Sequence, residues 1–392
     1  MLAGSTRSDR PLLRARVHGG GPTGALAALA LAHSGWQVEL RDPQPQAALQ
    51  QRSRAYALTH SSAELLNNLG LWSPLQSATV PFAALELCDR SLERAVSFRA
   101  SDLPGRRHRC AQEAVGWILK HRPLMEVLLS RLEQHPAVSL HLGAIPAEPA
   151  ARVDLEVAAD GHHSPQRKAA GVQQGGWAYQ QGCLTVQVAL RGSRSDQAWE
   201  LFRSEGPFAV LPLGGDSYQL VWSAPLQRLR QLEQLEPTAF LEALSAALPE
   251  ALQVEVLLDR PQAFPVALQM AWPLQRGRLV LLGEAAHRSH PVGGQGLNLC
   301  WRDVAALQEL AAQVQQGQLK ATQLPKRYAR SRWLDIVLVL LATDALVRLF
   351  SNRKPWLLPL RHMALSLLER FRGLRAFSLR AMSDGPCRLR WQ

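Results

Sequence analysis

The chain has 392 residues, of which 47% are hydrophobic and 19% are charged, and its formal net charge is +12. This length allows two or three domains with sizeable cores, and the composition excludes both a mostly disordered chain and a tiny stapled scaffold. Only five of the 44 basic residues are lysines. Nucleic-acid binders usually concentrate mixed Lys and Arg patches on a recognisable module, so we expect no nucleic-acid partner.

The first sixteen residues carry four arginines but no apolar stretch, so they are typical of a basic extension rather than of a secretory signal. The longest charge-free apolar run near the C-terminus covers residues 336–343, whereas a membrane-spanning helix needs about 20 residues. The cysteines are scattered singly, which indicates a reducing compartment and no metal site. They are Cys88, Cys110, Cys183, Cys300 and Cys387. We therefore expect a cytoplasmic protein.

The first strong pattern is a short strand at 16–18 that runs into glycines and then into an alanine- and leucine-rich helix, which Gly35 is predicted to end. Gly19, Gly21 and Gly24 have the GxGxxG spacing: the first permits a tight turn, the second lets the backbone approach a pyrophosphate, and the third brings helix and strand together. A second strand at 38–42 ends in Asp42, about 20 residues on, where a carboxylate accepts hydrogen bonds from an adenosine ribose. The pattern predicts a βαβ unit that binds a dinucleotide, with its phosphates at the helix N-terminus.

Helix and strand patterns alternate over the next hundred residues. Helices are predicted at 61–70 and 123–134. Apolar and polar residues alternate over 82–98, as they do in strands. A further strand is predicted from 154 and ends in Asp160 and Gly161. Arg54 by itself is typical of a solvated surface arginine. From about 182 to 264 the alternation indicates strands, such as 183–190, 208–213 and 218–223, with one helix near 237–248. This segment predicts an antiparallel sheet that forms a second domain.

The second strong pattern is an aliphatic strand at 278–282 followed by Gly283 and Glu284, by Pro291, and by a helix from 297 to 314. Three glycines, at 293, 294 and 296, precede that helix. Their backbone entropy would destabilise an ordinary crossover, although such a crossover remains the alternative. A glycine-rich helix N-terminus seats an electron-rich group, such as a flavin pyrimidine ring or a pyrophosphate.

Positive charge is concentrated near the C-terminus, where residues 326–392 contain fourteen Lys and Arg but four Asp and Glu. In the same segment, apolar residues recur at helical spacing and predict one helical stripe flanked by arginines. The stripe comprises Leu360, Met363, Ala364, Leu367, Phe371 and Leu374, and the flanking residues are Arg361, Arg370, Arg372 and Arg375. We expect this tail to dock peripherally on the inner face of an anionic membrane. Packing of the stripe on the protein's own core or on a second subunit is the alternative.

Taken together, these patterns resemble the FAD-dependent aromatic monooxygenases of the para-hydroxybenzoate hydroxylase fold and, more narrowly, the ubiquinone-biosynthesis hydroxylases. The resemblance runs from Val17 to about Met382. Five segments match the patterns of this family. They are the GxGxxG turn, Arg54-Ala55-Tyr56-Ala57-Leu58, Asp160-Gly161-His162-His163-Ser164, the segment 283–298, and the segment 343–352. The last of these separates the ubiquinone-biosynthesis hydroxylases from other flavin hydroxylases.

The resemblance implies a role toward FAD for each matching position. Asp42 would bind the adenosine ribose, Arg54 and Arg122 would lie along the phosphates and the ribityl chain, and Asp160 with Gly161 would link flavin binding to the route of NAD(P)H. Gly283 and Glu284 would lie at the ribityl contact. The family has Asp at that position, so Glu284 is one methylene longer.

The resemblance also implies that a loop covers the edge of the isoalloxazine ring. This loop comprises Pro291, Gly293, Gly294, Gln295, Gly296, Leu297 and Asn298. Asn298 would lie near the pyrimidine oxygens, and Pro291 is the residue assigned to the reaction. His287 and His290 flank the loop, and we assign no side-chain acid or base.

The implied fold is α/β, with a Rossmann-like FAD-binding domain, a mostly antiparallel β-sheet substrate domain and a C-terminal helical tail. The FAD-binding domain is predicted over 12–80, 105–172 and 275–342, the substrate domain over 81–104 and 173–274, and the tail over 343–392.

The implied function is hydroxylation of the ring of a polyprenylated phenol in quinone biosynthesis, with FAD, NAD(P)H and O₂. The cofactor carries the hard chemistry, so no catalytic triad or carboxylate pair is needed. Two alternatives stay open: a non-catalytic, FAD-stabilised subunit of a quinone-synthesis complex, and a flavin-dependent polyprenyl reductase. We expect a lipophilic prenylated phenol as substrate, and either such a complex or a homo-oligomer.

Overall fold

The computed structural model describes residues 12–103, 114–143, 152–192 and 194–388. Cys110, Arg7 and Arg10 lie outside the described residues, as do those parts of the predicted domains that fall in the gaps. The strands are β1 (Arg14–His18), β2 (Gln37–Asp42), β3 (Ala55–Leu58), β4 (Thr79–Phe82), β5 (Ala84–Asp89), β6 (Arg94–Arg99), β7 (Gly116–Lys120), β8 (Val138–Leu142), β9 (Leu155–Ala158), β10 (Gln173–Arg191), β11 (Gln197–Arg203), β12 (Gly206–Gly214), β13 (Ser217–Pro225), β14 (Gln253–Leu257), β15 (Gln262–Trp272), β16 (Gln275–Arg276), β17 (Leu279–Leu281) and β18 (His287–Arg288). The helices are α1 (Pro22–His33), α2 (Gln46–Gln50), α3 (His60–Asn68), α4 (Trp72–Leu75), α5 (His121–Gln134), α6 (Pro165–Ala169), α7 (Leu226–Glu233), α8 (Pro237–Ser245), α9 (Gln295–Gln315), α10 (Leu324–Phe350), α11 (Leu358–Arg370) and α12 (Arg372–Asp384).

A mostly parallel sheet, which we call the parallel sheet, lies at the centre of the part that carries the glycine turn; its edge strand β16 is antiparallel to β17. Within the described residues its strand order is β16-β17-β9-β1-β2-β8, and β1 pairs in parallel with both β2 and β9. The chain continues from β1 to β2 on one side and reaches β9 on the other, so the direction of winding reverses between β1 and β9. Ligands of α/β sheets bind at such a reversal, outside the carboxyl ends of the strands.

Helix α1 follows β1 and is buried on nearly every side. Nine of its twelve residues are buried, and it packs against α5 and α9, as expected for a helix that is apolar all round. It ends in a Schellman motif, in which the N–H of Gly35 donates to Ala32 at 2.9 Å and the N–H of Trp36 to Leu31 at 3.2 Å. Gly35 has a φ of +86°, so the stop that the sequence predicts here has a conformational cause.

The second large sheet is mostly antiparallel, with the strand order β18-β15-β10-β13-β12-β11-β5-β6, and β14 also pairs with β10. Residues of one face, among them Leu184, Phe208 and Trp222, pack with α7 and α8 in a core of their own. The opposite face carries Ala198 and Phe202, which pack with Val292 from the segment before α9. We call the face that α7 and α8 cover the outer face of this sheet. The opposite face, which carries Ala198 and Phe202, is the inner face and is directed at the glycine-rich loop.

A small antiparallel sheet of β3, β7 and β4 joins the two parts. The N–H of His121 donates to the carbonyl of Arg54 at 2.8 Å. This bond places Arg54, which directly precedes β3, beside the N-terminus of α5. The parallel sheet, the antiparallel sheet and the C-terminal helices together confirm the predicted α/β class.

Helices α9 and α10 are held to the parallel sheet by Asp303, which is fully buried. Its Oδ2 accepts hydrogen bonds from the N–H of Gly283 at 3.1 Å and from His287 Nε2 at 2.7 Å, and its Oδ1 accepts one from Arg332 Nε at 2.8 Å. Burial raises the pKa of Asp303, but His287 and Arg332 outweigh that effect, and the net pKa lies below the usual value. The carboxylate stays ionised and fixes the end of β17.

The C-terminal segment differs from the prediction of one continuous helical stripe. It forms two helices, α11 and α12, with extended backbone at Phe371 between them. Arg375 Nη1 stabilises the end of α11 by donating to the carbonyls of Leu368 at 2.9 Å and Glu369 at 2.8 Å. These are among the last carbonyls of α11, which lack partners within the helix.

Arg361 was predicted to flank the stripe, and this prediction is wrong. Arg361 is 1% exposed and donates to the carbonyls of Leu349 at 2.7 Å and Asn352 at 3.1 Å. The buried apolar residues of the two helices are Leu365 and Leu379. Five stripe residues are instead between 37% and 52% exposed, so within the described part of the chain the stripe is not buried in a core. They are Leu360, Met363, Leu367, Phe371 and Leu374.

The domain boundaries stay a prediction. Two elements connect regions that the prediction separates. Strand β18 lies in the range predicted for the FAD-binding domain but pairs with β15 of the antiparallel sheet. Helix α10 continues through residue 343 without a break. Among the described helices, none is both long and apolar enough to cross a membrane.

Candidate functional site

Three parallel strands end side by side at the crevice. The N–H of Ala159 donates to His18 at 2.8 Å, and the N–H of Leu282 donates to Ala158 at 2.9 Å. Gly19 follows β1, Asp160 follows β9, and Gly283 follows β17. The fold therefore brings together the GxGxxG turn, the Asp-Gly motif and the Gly-Glu motif, although they are more than a hundred residues apart in sequence.

The glycines of the turn differ in what surrounds them. A Cβ on Gly24 would lie 1.9 Å from the carbonyl oxygen of Gly19, and a Cβ on Gly19 would lie 2.3 Å from that of Ala159. These two positions therefore require glycine for close packing of helix and strands. A Cβ on Gly21 would meet no atom within 4 Å. Gly21 directly precedes α1, so the open side of its backbone adjoins the positive end of the helix dipole.

Asp42 fixes the glycine turn by a hydrogen bond to its backbone. Its Oδ2 accepts a hydrogen bond from the N–H of Gly20 at 2.6 Å, and its Oδ1 accepts one from Gln44 at 2.7 Å. Each carboxylate oxygen retains a second lone pair for another donor. The position at the end of β2 is the one that the sequence predicts, and the structure adds that Asp42 also positions the turn.

The Asp-Gly motif and Glu284 face each other across the ends of β9 and β17. The Oδ2 of Asp160 accepts a hydrogen bond from Gln166 at 3.1 Å, and its Oδ1 is buried without a partner among the described residues. Glu284 Oε2 lies 3.8 Å from His162 Nδ1, and the Glu284 side chain is 56% exposed. His162 lowers the pKa of Glu284, with Arg288 and Arg54 acting in the same direction. Glu284 is thus an ionised and accessible carboxylate.

The loop before α9 needs glycine for its backbone shape. Gly293 and Gly294 have φ values of +67° and +62°, in the left-handed region that other residues rarely adopt. Gln295 is buried and donates to Gly293 at 3.2 Å. Leu297 packs on the core of the parallel sheet. A Cβ on Gly296, like one on Gly21, would meet no atom within 4 Å.

Asn298 is buried and uses both ends of its amide within the chain. Its Nδ2 donates to the carbonyls of Ala57 at 2.7 Å and Gly294 at 2.8 Å. Its Oδ1 accepts hydrogen bonds from the N–H of Thr59 at 3.0 Å and from Ser62 Oγ at 2.7 Å. The side chain therefore ties β3 and α3 to the loop, and its role near the pyrimidine oxygens stays a prediction.

The two arginines named from the sequence lie apart from each other. The guanidinium of Arg54 lies 5.1 Å from the ring centroid of Phe264, on the inner face of the antiparallel sheet. Arg122 Nε pairs with Glu126 at 2.8 Å, and its side chain is 74% exposed. Arg54 is thus directed toward the site, whereas the Arg122 side chain lies along the surface of α5.

Sequence reasoning missed several buried charged residues, and two of them, Arg167 and Glu200, lie at the site. Arg167 is 4% exposed and donates to the carbonyls of Ala285 and His162, both at 2.9 Å, which joins the Asp-Gly motif to the segment after β17. Glu200 is buried on the inner face of β11, beside the N–H of Gly293. The available signal for Glu200 was a charged residue between the inward positions Ala198 and Phe202 in an alternating strand.

The histidines that flank the loop have different settings. His287 is held by Asp303 and belongs to the buried ion-pair network. His290 is fully buried, and its Nδ1 accepts the N–H of Val292 at 3.2 Å. Burial lowers the pKa of His290 to about 4. Within the described residues, no group of three or more metal-ligating side chains occurs.

The residues around the crevice fit FAD. Gly21, Gly161 and Gly296 leave their backbone open to a close approach, and no side chain caps the N-terminus of α1. A pyrophosphate needs both features. The unpartnered oxygen of Asp160 and the accessible carboxylate of Glu284 provide acceptors for hydroxyl groups of the kind that a ribityl chain carries.

Comparison with known proteins agrees with this assignment. The family model described as FAD binding domain matches residues 14–141 and 146–334. The 3-demethoxyubiquinol 3-hydroxylase of Escherichia coli is 30% identical, and the alignment covers 93% of this chain and 96% of that protein. The ubiquinone hydroxylase UbiL of Rhodospirillum rubrum is also 30% identical, over 93% of this chain and 88% of that protein.

Solved structures share the fold at low sequence identity. The p-nitrophenol 4-monooxygenase PnpA of Pseudomonas putida superposes with a TM-score of 0.74 at 16% identity, covering 96% of this chain and 99% of that one. Klebsiella pneumoniae HpxO, solved with FAD and uric acid, superposes with a TM-score of 0.71 at 18% identity, covering 96% and 98%. The chain therefore belongs to the FAD-binding domain family and, within it, to the FAD-dependent aromatic monooxygenases that include the ubiquinone-biosynthesis hydroxylases.

Proposed function

We propose that this protein hydroxylates the aromatic ring of a polyprenylated phenol in quinone biosynthesis, using FAD, NAD(P)H and O₂. The observation that carries the proposal is the convergence of Gly21, Asp160 and Glu284 at one edge of the parallel sheet, next to the inner face of a second sheet. The relatives named for ubiquinone hydroxylation align over nearly the whole chain, which supports the substrate class. Assembly into a quinone-synthesis complex or a homo-oligomer stays a prediction.

Bound FAD would supply the redox chemistry and the activation of O₂. We propose that Gly21 and the N-terminus of α1 hold its pyrophosphate, that Asp42 accepts hydrogen bonds from the adenosine ribose, and that Glu284 contacts the ribityl chain. Arg54 would contribute positive charge near Glu284. The loop from Pro291 to Asn298 would cover the edge of the flavin ring, with its shape fixed by the glycines and by the Asn298 amide.

The chain itself must exclude water and orient the phenol. Val292, Ala198 and Phe202 close the inner face of the antiparallel sheet with apolar side chains. An apolar wall favours an aromatic ring over water. Exclusion of water limits side reactions of activated oxygen, and a fixed ring orientation selects the carbon that is hydroxylated.

The exposed surface of the C-terminal helices supports peripheral docking on an anionic membrane, in which a polyprenyl substrate dissolves. We name this surface the apolar tail surface and define it by Leu360, Met363, Leu367, Phe371, Leu374 and Phe377. Exposed basic residues lie beside it, namely Arg353, Lys354, Arg370 and Arg372. Apolar side chains flanked by cations are the pattern of interfacial helices.

Replacing Gly21 with valine is expected to weaken FAD binding without unfolding the protein. The backbone at Gly21 has φ −68° and ψ −179°, which valine adopts readily, so the new side chain occupies only the space assigned to the pyrophosphate. We expect FAD affinity to fall at least about tenfold, or roughly 1.4 kcal/mol. The flavin-to-protein ratio after gel filtration measures this effect. Gly175→Val in β10, where the Cβ position is also open, is the matched control, and full FAD occupancy in Gly21→Val would contradict the placement.

Replacing Glu284 with aspartate is expected to tighten FAD binding or leave it unchanged, because the substitution restores the family residue. The change should be about 1 kcal/mol, typical of one charge-assisted hydrogen bond. Titration of the apoprotein with FAD, followed by flavin fluorescence, provides the dissociation constant. A large loss of affinity would show that the site is built around the longer side chain and that the ribityl role is misassigned.

Anaerobic mixing with NADPH or NADH tests the enzymatic function. We expect a short-chain 2-prenylphenol to accelerate the bleaching of flavin absorbance, and admission of O₂ to give a product heavier by one oxygen atom in mass spectra. No bleaching with any phenol favours a non-catalytic FAD-binding subunit. Bleaching followed by reduction of the prenyl double bond, without uptake of O₂, identifies a polyprenyl reductase.

Liposome flotation tests the membrane proposal. We expect the protein to float with phosphatidylglycerol-containing vesicles but not with pure phosphatidylcholine, and added salt to weaken binding because the charges are exposed. The combined variant Met363→Gln, Leu367→Gln and Phe371→Gln should lose flotation. Val256→Gln with Leu258→Gln, which changes exposed apolar residues near β14, is the matched control. Equal flotation of the native protein and the tail variant, or none by either, refutes docking through this surface.

A further inference from the structure

The inner face of the antiparallel sheet carries a buried carboxylate that the proposed function has not used. Along β11, Leu201 points to the outer core beneath α7 and α8, whereas Ala198 and Phe202 point inward. Glu200 shares the inward direction because side chains alternate along a strand. It is 8% exposed, so it lies inside the molecule on the side of the glycine-rich loop.

The residues next to Glu200 on this face are small or apolar. Strand register places Glu200 opposite Ala209, Ala209 opposite Val221, and Val221 opposite Thr185. These three neighbours are only half-buried, whereas the outward residues beside them are fully buried. The row formed by Glu200, Ala209, Val221 and Thr185 is therefore not fully covered by other side chains. A planar apolar ring can lie along this row with Glu200 at one end.

Glu200 has no cationic partner within the described residues, since no lysine, arginine or histidine there forms an ion pair with it. Its carboxylate faces the N–H of Gly293. Burial raises the pKa of Glu200 to about 7, against the opposing effect of the Gly293 N–H. A carboxyl group in this setting exchanges its proton near neutral pH, which suits a general base.

The other titratable groups around the loop are less suited to accept a proton. His290 already uses Nδ1 to accept the N–H of Val292, and its Nε2 is therefore a donor in the neutral ring. The hydroxyl of Tyr179 donates to Asp344 at 2.7 Å. Burial raises the pKa of Cys183 to about 12, and Glu200 adds to that shift. Glu200 remains as the acceptor on this face.

We propose that Glu200 is a catalytic residue that accepts the phenolic proton of the bound ring. The O–H bond of the phenol breaks, a carboxyl O–H bond forms on Glu200, and the electron pair stays on the ring as phenolate. The negative charge enriches the ortho and para carbons, where an electrophilic oxygen adds. As the oxygen adds, the phenolate oxygen becomes a carbonyl and the attacked carbon keeps its hydrogen. Loss of that hydrogen as a proton to water restores the aromatic ring as a phenolate, which takes back the proton held by Glu200 before the product leaves. This inference rests on the proposed function, because it assigns the base for that reaction.

Glu200→Gln keeps the size and the acceptor oxygen for Gly293 but removes the base. We expect FAD content equal to that of the native protein and hydroxylation of 2-prenylphenol reduced about 100-fold at neutral pH. Activity of the native protein should rise with pH through about 7, because the ionised form is the base, and this rise should be absent in the variant. Glu255→Gln on the same sheet, where Glu255 is exposed and pairs with the exposed Arg191, is the matched control with native behaviour.

A ring-fluorinated 2-prenylphenol separates proton transfer from a structural role. Its hydroxyl is more acidic and ionises without help, so the deficit of Glu200→Gln should shrink several-fold with this substrate. A tether role for Glu200 would slow both phenols equally. An equal deficit, or a native rate and pH profile in Glu200→Gln, would overturn the proposal.

Titration of the oxidised holoprotein with 2-prenylphenol, without NAD(P)H, followed by flavin absorbance, gives a readout independent of turnover. Ionised Glu200 accepts a hydrogen bond from the phenol, so we expect the affinity of the native protein to rise with pH through about 7 and that of Glu200→Gln to stay constant. This pH dependence without hydroxylation supports Glu200 while the proposed function fails. A native affinity that does not change across pH 7 overturns the role of Glu200 even if hydroxylation occurs.

Discussion

A single buried carboxylate, Asp303, connects the elements on which the site is built. It accepts hydrogen bonds from the backbone of Gly283, from His287 and from Arg332, and so joins the end of β17 to α9 and α10. Loss of one partner of such a buried pair typically destabilises a protein by about 3–5 kcal/mol, because a charge is left uncompensated. The orientation of Glu284, one residue after Gly283, therefore depends on a contact that lies behind the crevice and not in it.

The crevice itself is shaped by backbone, and side chains hold that backbone from outside. Asp42 bonds to the turn at Gly20, and Asn298 bonds to both β3 and the loop at Gly294. The glycine positions that remain open, Gly21 among them, present N–H groups without a Cβ in front of them. This arrangement suits a large anionic cofactor, because main-chain donors bind phosphate while polar side chains keep the donors in place.

The two sheets divide the proposed work between them. The parallel sheet offers the surface assigned to the cofactor, and the inner face of the antiparallel sheet offers an apolar wall with Glu200 as its buried acid. The apolar tail surface extends the apolar character to the outside of the molecule, where α11 and α12 are anchored by Arg361 and Arg375. Internal anchoring of these arginines leaves other cations, such as Arg370 and Lys354, on the exposed side.

The sequence by itself determined the GxGxxG turn, the stop at Gly35, the α/β class and the family, because spacing and glycine content encode local backbone geometry. The two-helix form of the tail, the burial of Arg361 and the place of Glu200 were decided only in three dimensions. Helical spacing continues through Phe371, whereas the backbone there is extended and Arg375 donates to the end of α11. In the sequence, Glu200 is a single charged residue in a segment of predicted strands. In three dimensions its carboxylate faces Gly293, almost a hundred residues away, and such long-range contacts leave no periodic signal in the chain.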